Sequence, residues 1–438
     1  MTAPLKINVH LWGTNIGQLT WDEYARVATF QFSEDYFKQP YNLLPTKPVK
    51  TLAPVLGNIS DKYHGLPPFL ADSLPDNWGS TVFDKWAKEN NIDPKECNPL
   101  LKLAYIGRRG IGALEFFPEI EDDGRQVRSL STLESLANKI YTERAEARLG
   151  EEEKAEFNAF ARLGSPPGGA HPKTLIALSD DNDTIISGQT DPLPGYTQYI
   201  LKFKEDYSVP SSELEYIYYL MARESGINMM PCRLYWIRGN AHFLTERFDR
   251  RGGQKILSQT MAALAPGTSD YENLFFLCRS LHLSEEERAE LFRRMCFNIV
   301  AGNTDDHNKN FSFLMFPDGH WELAPAYDIT FTANIWKDTD ADTHSLGASQ
   351  RRCYFTADYL LKFAEDFEIK NPEAVLRDVC LAVSRFPSLA KENALSESWI
   401  EKISGALDSV FPDRKKIIFR HYSTTILNEA STGRWSES

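Results

Sequence analysis

NTDDHNKNF, residues 303–311, follows the apolar run FNIVAG and decides how this chain is read. Two Asp, three Asn, one His and one Lys are packed into nine residues. A chain that has just left an apolar helix therefore spends its next turn on groups that bind protons, metals and phosphates. Asp305 and Asn310 form Asp-x-x-x-x-Asn. The next stretch, FSFLMFPDGHWELAPAYD, predicts a β-hairpin turning at Pro317-Asp318-Gly319 and ending in Tyr327-Asp328. An ordinary polar turn also favours Asn and Asp. The hairpin and the second carboxylate behind it weigh toward chemistry.

A base-type Asp, an amide five residues on and a carboxylate after a hairpin come in the order protein kinases use. In that order the Asp orients the attacking hydroxyl, while the Asn and the later Asp hold magnesium. Mg²⁺ prefers hard oxygens and keeps several waters, so one amide and one carboxylate suffice. Asp306 is next to Asp305, and spacing alone allows either to be the base; the five-residue step to Asn310 selects Asp305.

Three upstream stretches fit the same order. GSPPGGAHPKT, 164–174, has two adjacent glycines that let backbone approach phosphate oxygens, and Lys173 within reach. It is no P-loop, because Pro172-Lys173-Thr174 stands where Gly-Lys-Thr is required. Alone, it reads as a plain Gly/Pro loop. YILKFKED, 199–206, places Lys202 in an apolar strand, with Glu213 or Glu215 of the next helix to brace it. Lys204 is the better candidate for a solvent-facing lysine. TERFDR, 245–250, closes a hairpin where a β-rich segment passes to a helical one. Glu246, Arg247 and Phe248 are therefore the candidate adenine hinge.

The 438 residues suggest two or three domains or lobes, and 42% hydrophobic with 25% charged residues is ordinary for a globular chain. A net charge of -13 argues against coating nucleic acid or anionic membrane by bulk attraction. None of the six cysteines sits at Cys-x-x-Cys spacing, so no zinc or redox motif is suggested. The opening MTAPLKINVHLWG lacks a signal-peptide core, and no run of 18 apolar residues exists. The cytoplasm is the expected location, with no membrane partner.

Short strands are predicted over 6–30, loops over 38–76, a helical pattern from Asp76 to about Ala104, and a Gly-punctuated strand in 107–119. Ser131, with Glu134 three residues on, predicts a capped helix, and helix-favouring sequence continues to Leu163 with a break at Gly150. KTLIALS and TQYILKFK predict strands, SSELEYIYYLMARESGI a helix, and RLYWIRGNAHFLTERF a hairpin turning at Gly239-Asn240. Helices dominate from 258, with two more after 355. The expected class is α+β: a two-lobed protein-kinase-like fold with a β-rich N-lobe, a helical C-lobe and an N-terminal mixed subdomain. The divisions expected are 1–125, 126–250 and 251–438.

GGAHPK, ILKF, TERFDR, NTDDHNKNFSF and LAPAYDI together resemble the HipA family of bacterial toxin serine/threonine kinases. LPPFLADSLPDNWG (66–79) and IGRRGIGAL (106–114) are similar to that family's N-terminal region. The resemblance implies ATP and Mg²⁺ as cofactors and a protein serine as substrate. Such a substrate would be a translation component such as an aminoacyl-tRNA synthetase. It also implies a small helix-turn-helix antitoxin partner, HipB-like, through which alone DNA would be touched. Position by position, it makes Asp305 the base with His307 beside it, and Asn310 and Asp328 the metal ligands. Gly168, Gly169, Ala170, His171 and Lys173 become the phosphate loop, Lys202 a phosphate contact, and Glu246, Arg247 and Phe248 the hinge. Tyr327 falls in the nucleotide site. Ser165 is the candidate autophosphorylation site, although Pro166 and Pro167 separate it from the glycines. There is no Asp-Phe-Gly; the chain reads Asp328-Ile329-Thr330. A small-molecule kinase and a degenerate kinase acting as a co-repressor scaffold are the rival expectations.

Overall fold

A computed structural model describes residues 5–49, 51–120, 130–143, 171–181, 184–188, 193–333, 343–348 and 351–431. They fall into two compact units. The first comprises Met1–Ser212, Met230–Gly267 and Phe311–Ala324; the second comprises Glu213–Met229, Thr268–Asn310 and Pro325–Ser438.

Two antiparallel five-stranded sheets build the first unit. One has strand order β4-β3-β2-β1-β5, with β1 Lys6–Leu11, β2 Thr14–Asp22, β3 Val27–Phe32, β4 Val55–Leu56 and β5 Leu114–Phe117. KINVHL alternates along β1, and Ile7, Val9 and Leu11 are buried on one face. They join Phe30, Phe69, Trp78, Phe83 and Leu101 in one hydrophobic cluster. The other sheet has order β7-β6-β8-β10-β9, from β6 Lys173–Ser179, β7 Ile185–Ser187, β8 Tyr196–Lys202, β9 Cys232–Ile237 and β10 Asn240–Glu246. Ile176, Leu178, Leu201 and Leu244 belong to that same cluster, so both sheets share a core. A third sheet joins β11 Leu257–Thr260 to the hairpin β12 Ser312–Met315 and β13 Trp321–Leu323.

Polar ties explain two of the sequence stretches. In LPPFLADSLPDNWG, the Trp78 indole donates to the Lys173 carbonyl at 2.9 Å. Asp72 accepts from both the backbone N–H and the hydroxyl of Thr260, each at 2.7 Å. In GRRGIGAL, the carbonyl of Gly110 accepts from Arg247 and Arg250 at 3.4 and 3.3 Å, and the N–H of Gly112 donates to Asp249 at 2.6 Å. Gly112 has φ +79°, and a Cβ there would lie 3.1 Å from the Ser258 nitrogen. Arg247 and Asp249 form a two-pronged ion pair at 2.9 and 2.8 Å, both side chains buried. Burial alone would raise the Asp249 pKa. Arg247 and Arg250 outweigh it and hold the carboxyl well below the usual carboxylate range.

The second unit is helical. Ser284 and Glu287 form a capping box that opens the helix Glu285–Val300. That helix buries Leu291, Phe292, Met295 and Phe297 and packs on the helix Pro372–Ser384. No helix among the described residues is long and apolar enough to cross a membrane.

Four expectations need correction. The hairpin β9–β10 turns at Arg238-Gly239, both with positive φ, and Asn240 already pairs with Ile237; this is the backbone of a two-residue hairpin turn. Ser131 lies inside the helix Leu130–Glu143, and Glu134 turns inward, where the Tyr207 hydroxyl donates to it at 3.0 Å. Lys204 is buried, beyond the end of β8, with its N–H donating to His242 Nδ1 at 3.0 Å. Among the described residues five helices follow residue 355, since Pro372, Pro387 and Pro412 each restart the chain at a helix N-terminus. The helix expected between 144 and 163 lies outside the described residues.

Asp249→Ala should strand two buried guanidinium groups and destabilise the fold by about 3–5 kcal/mol, read as a lower midpoint in urea. A shift below about 1 kcal/mol would place the pair among the weak ones. Because the folded pKa is depressed, this stabilisation is complete above about pH 3.9, the unfolded value. It is lost as pH falls toward the folded value. The variant should therefore show a flatter acid limb.

Candidate active site

The helix Glu285–Val300 stops by a defined device. Gly302 takes φ +64°, and the N–H of Asn303 reaches back to the carbonyl of Asn298 at 2.9 Å. This is the six-to-one bond of a Schellman motif, which needs a residue that tolerates positive φ. It turns the chain out of the core and into 303–311. There the Thr332 hydroxyl accepts from the N–H groups of Thr304 at 2.7 Å and Asp305 at 3.1 Å. The Asn310 amide nitrogen donates to the Asp305 carbonyl at 2.8 Å, which turns its amide oxygen away from the backbone. His307 Nε2 lies 3.9 Å from Asp305 Oδ1, and its Nδ1 accepts from the Lys309 N–H at 3.2 Å. The Tyr327 hydroxyl donates to the Lys309 carbonyl at 2.7 Å, tying the residue before Asp328 to the same loop. Asp328 itself has φ +51°, a left-handed conformation that Asp tolerates better than most residues.

The two adjacent carboxylates are treated oppositely. The Asp305 side chain is 61% exposed. Asp306 is 1% exposed and surrounded by donors: Tyr271 hydroxyl at 2.7 Å, His344 Nδ1 at 2.9 Å, and the N–H groups of Ser345 and Leu346 at 2.8 and 3.2 Å. Burial, and then the Asp306 charge, push the Tyr271 phenol well above its ordinary value and keep it a donor.

In the first unit, Lys173 and Lys202 are directly paired across β6 and β8, and Lys202 is paired with Phe243 on β10. Opposed residues in an antiparallel pair share a face, and like charges so placed repel. Lys202 Nζ sits 5.5 Å from the Phe243 ring centroid. His171 bonds Glu205 through Nδ1, and that bond raises its pKa against the opposing effects of burial, Lys173 and Lys202. β8 is an interior strand, so Lys202 is not an edge lysine. At TERFDR the N–H groups of Glu246 and Arg247 donate to the carbonyls of Pro231 and Gln198. The Arg247 side chain is committed to Asp249, Gly110 and Gly188. Burial raises the Glu246 pKa. Phe248 packs with Ile256, Leu314 and Ala324. Gly168, Gly169, Ala170 and Ser165 lie outside the described residues. Glu213 and Glu215 open the helix Ser211–Glu224 and fall in the second unit.

Comparison with known proteins gives this geometry a family. A model of the HipA-like C-terminal domain matches residues 165–387, and one of the HipA N-terminal domain matches 7–117. The chain belongs to the HipA family. It is 22% identical over 355 residues to the serine/threonine-protein kinase toxin HipA of Shewanella oneidensis, covering 74% of this chain and 75% of that one. It is 23% identical to "Putative kinase Y4dM" of Sinorhizobium fredii, covering 93% and 96% of the two chains. A solved structure of the Shewanella oneidensis HipA, HipB and operator DNA complex matches with a TM-score of 0.63 at 18% identity, over 94% of this chain and 97% of that one. The α+β, two-lobed kinase-like class expected of a HipA chain is the class found.

Sequence reasoning missed Tyr271, Asn298, Thr332 and His344 around the loop 303–311, and Asp249 and Arg250 behind the candidate hinge. All are ordinary residues until the fold brings them together. The doubled Asp305-Asp306 was the one available signal, since two neighbouring carboxylates rarely do the same work. By NMR, His171 should titrate above about 6.5, the ordinary value, and Glu205→Gln should bring its midpoint down. An unchanged midpoint in that variant would contradict the assigned cause.

Proposed function

We propose that this chain is an ATP- and magnesium-dependent protein serine/threonine kinase acting as the toxin of a toxin–antitoxin pair. The observation that carries the reading is the division between Asp305 and Asp306. The loop anchors itself through one carboxylate and presents the other to solvent, five residues before an amide whose nitrogen is already occupied. Asp305 would accept the proton of an incoming hydroxyl, with His307 beside it. Asn310 and Asp328 would hold Mg²⁺; an amide oxygen and a carboxylate are the hard donors it takes. Bound there, the ion would neutralise phosphate charge. Lys173, Lys202 and the stretch from Gly168 to His171 would contact phosphates, and the backbone at Glu246 to Phe248 would receive adenine. The direct pairing of Lys173 with Lys202 across β6 and β8 supports this, because it sets both on one face of the sheet. Tyr327 would keep Asp328 in register with the loop.

The substrate would be a protein hydroxyl, on a translation component such as an aminoacyl-tRNA synthetase, with Ser165 of the chain itself a candidate. A HipB-like helix-turn-helix antitoxin would be the partner. The net charge of -13 leaves contact with DNA to that partner. The name of one relative supports a protein hydroxyl as the acceptor, and the solved HipA–HipB–operator complex supports the HipB-like partner.

Transfer of labelled γ-phosphate from ATP, followed on the purified chain alone and in bacterial extract, tests the reading. Wild type should label protein only with magnesium present. Lys202→Met and Asp328→Asn should each slow labelling about 100-fold or more. An inert wild type in both settings, or an Asp328→Asn variant at the wild-type rate, would overturn it.

A further inference from the structure

Beneath 303–311 lies a continuous run of buried polar groups. The Tyr271 hydroxyl stands at its centre, fully buried, at the start of the helix Tyr271–Ser280. It donates to Asp306 Oδ2 at 2.7 Å and accepts from Asn298 Nδ2 at 3.2 Å. Asn298 Oδ1 accepts from Asn303 Nδ2 at 2.9 Å, and Asn303 Oδ1 accepts from the Thr332 hydroxyl at 3.3 Å. Thr332 Oγ1 then takes the backbone N–H of Asp305 itself. On the other side, Asp306 collects His344, Ser345 and Leu346. The Ser345 N–H also reaches the Thr304 carbonyl at 3.0 Å, and the Tyr271 N–H takes the Gly347 carbonyl at 2.8 Å. Both ends of the Asp305-Asp306 dipeptide are thus tied to one phenol.

We propose that Tyr271 is a positioning residue for phosphoryl transfer, fixing Asp305 through two hydrogen-bonded arms that meet at its hydroxyl. The proposal rests on the kinase reading above. The physical reason is that a network in a low-dielectric interior is stiff when every member is satisfied and loosens when one is removed. Tyr271 touches neither of the reacting partners. Its effect passes through Asp306 to the segment 343–348, and through Asn298, Asn303 and Thr332 to the Asp305 backbone. A misplaced base slows the chemical step and leaves nucleotide binding alone.

Tyr218 supplies a matched control. It is equally buried in the same unit, and its hydroxyl donates to the Ala301 carbonyl at 2.6 Å, outside the network. Thermal midpoint, kcat and the KM for ATP would be measured on full-length wild type, Tyr271→Phe and Tyr218→Phe. Both variants should lose a similar few degrees of thermal midpoint. Only Tyr271→Phe should lose kcat, by about tenfold, at unchanged KM. Equal kcat in the two variants would overturn the proposal. Should Tyr271→Phe not fold, Thr332→Val cuts the same arm at its far end and should lower kcat similarly. Thr332→Ser, which keeps the hydroxyl, should restore it; a Thr332→Val variant with wild-type kcat would overturn the proposal. A wild type that transfers no phosphate would overturn the kinase reading and the proposal together, and no variant is needed to see it.

Discussion

A buried carboxylate has to replace the hydrogen bonds it made to water, and Asp306 replaces them with four donors from two places in the chain. One is a phenol on a neighbouring helix, one an imidazole, and two are backbone N–H groups of the segment 343–348. Satisfying that single charge fixes where the helix Tyr271–Ser280, the loop 303–310 and the segment 343–348 stand relative to one another. The neighbouring Asp305 gives its backbone N–H to the Thr332 hydroxyl and keeps its side chain exposed. Rigid backbone support is what the proposed role of Asp305 as a base would require.

The first unit solves a similar problem with an ion pair. Arg247 and Asp249 sit at the end of β10, the strand that leads out of the sheet carrying Lys202. Their remaining donors and acceptors are met by Gly110, Gly112 and Gly188. The N-terminal sheet and the lysine-bearing sheet are therefore joined by charge as well as by a shared apolar core. The N-terminal stretch around Gly110 and Gly112 thereby anchors the strand end at Glu246 to Phe248.

Much of this could be read from residues in order. Period-two alternation gave β1 and β3, and the helices expected from 258 onward do form. The loop at 303–311 announced itself by composition. What failed had physical causes. The capping-box spacing at Ser131 and Glu134 matched the pattern, but Glu134 was needed inside for Tyr207. Lys204 kept strand spacing with Lys202, yet the strand ends first and His242 takes its N–H. Arg238 was passed over as a turn residue because side chains at positive φ are uncommon. The buried network was unreadable for a different reason. Tyr271, Asn298, Thr332 and His344 lie in succession 27, 34 and 12 residues apart, and nothing local distinguishes a tyrosine that will meet a carboxylate from one that will not.

The central claim is that two adjacent aspartates do different work, one chemical and one structural. Asp305→Asn and Asp306→Asn, compared for urea midpoint and for phosphate transfer from ATP, address it most directly. The account predicts crossed results: Asp305→Asn keeps the wild-type midpoint and loses transfer, while Asp306→Asn loses stability and retains reduced transfer. An Asp305→Asn variant that transfers at the wild-type rate, or an Asp306→Asn variant as stable as wild type, would contradict it.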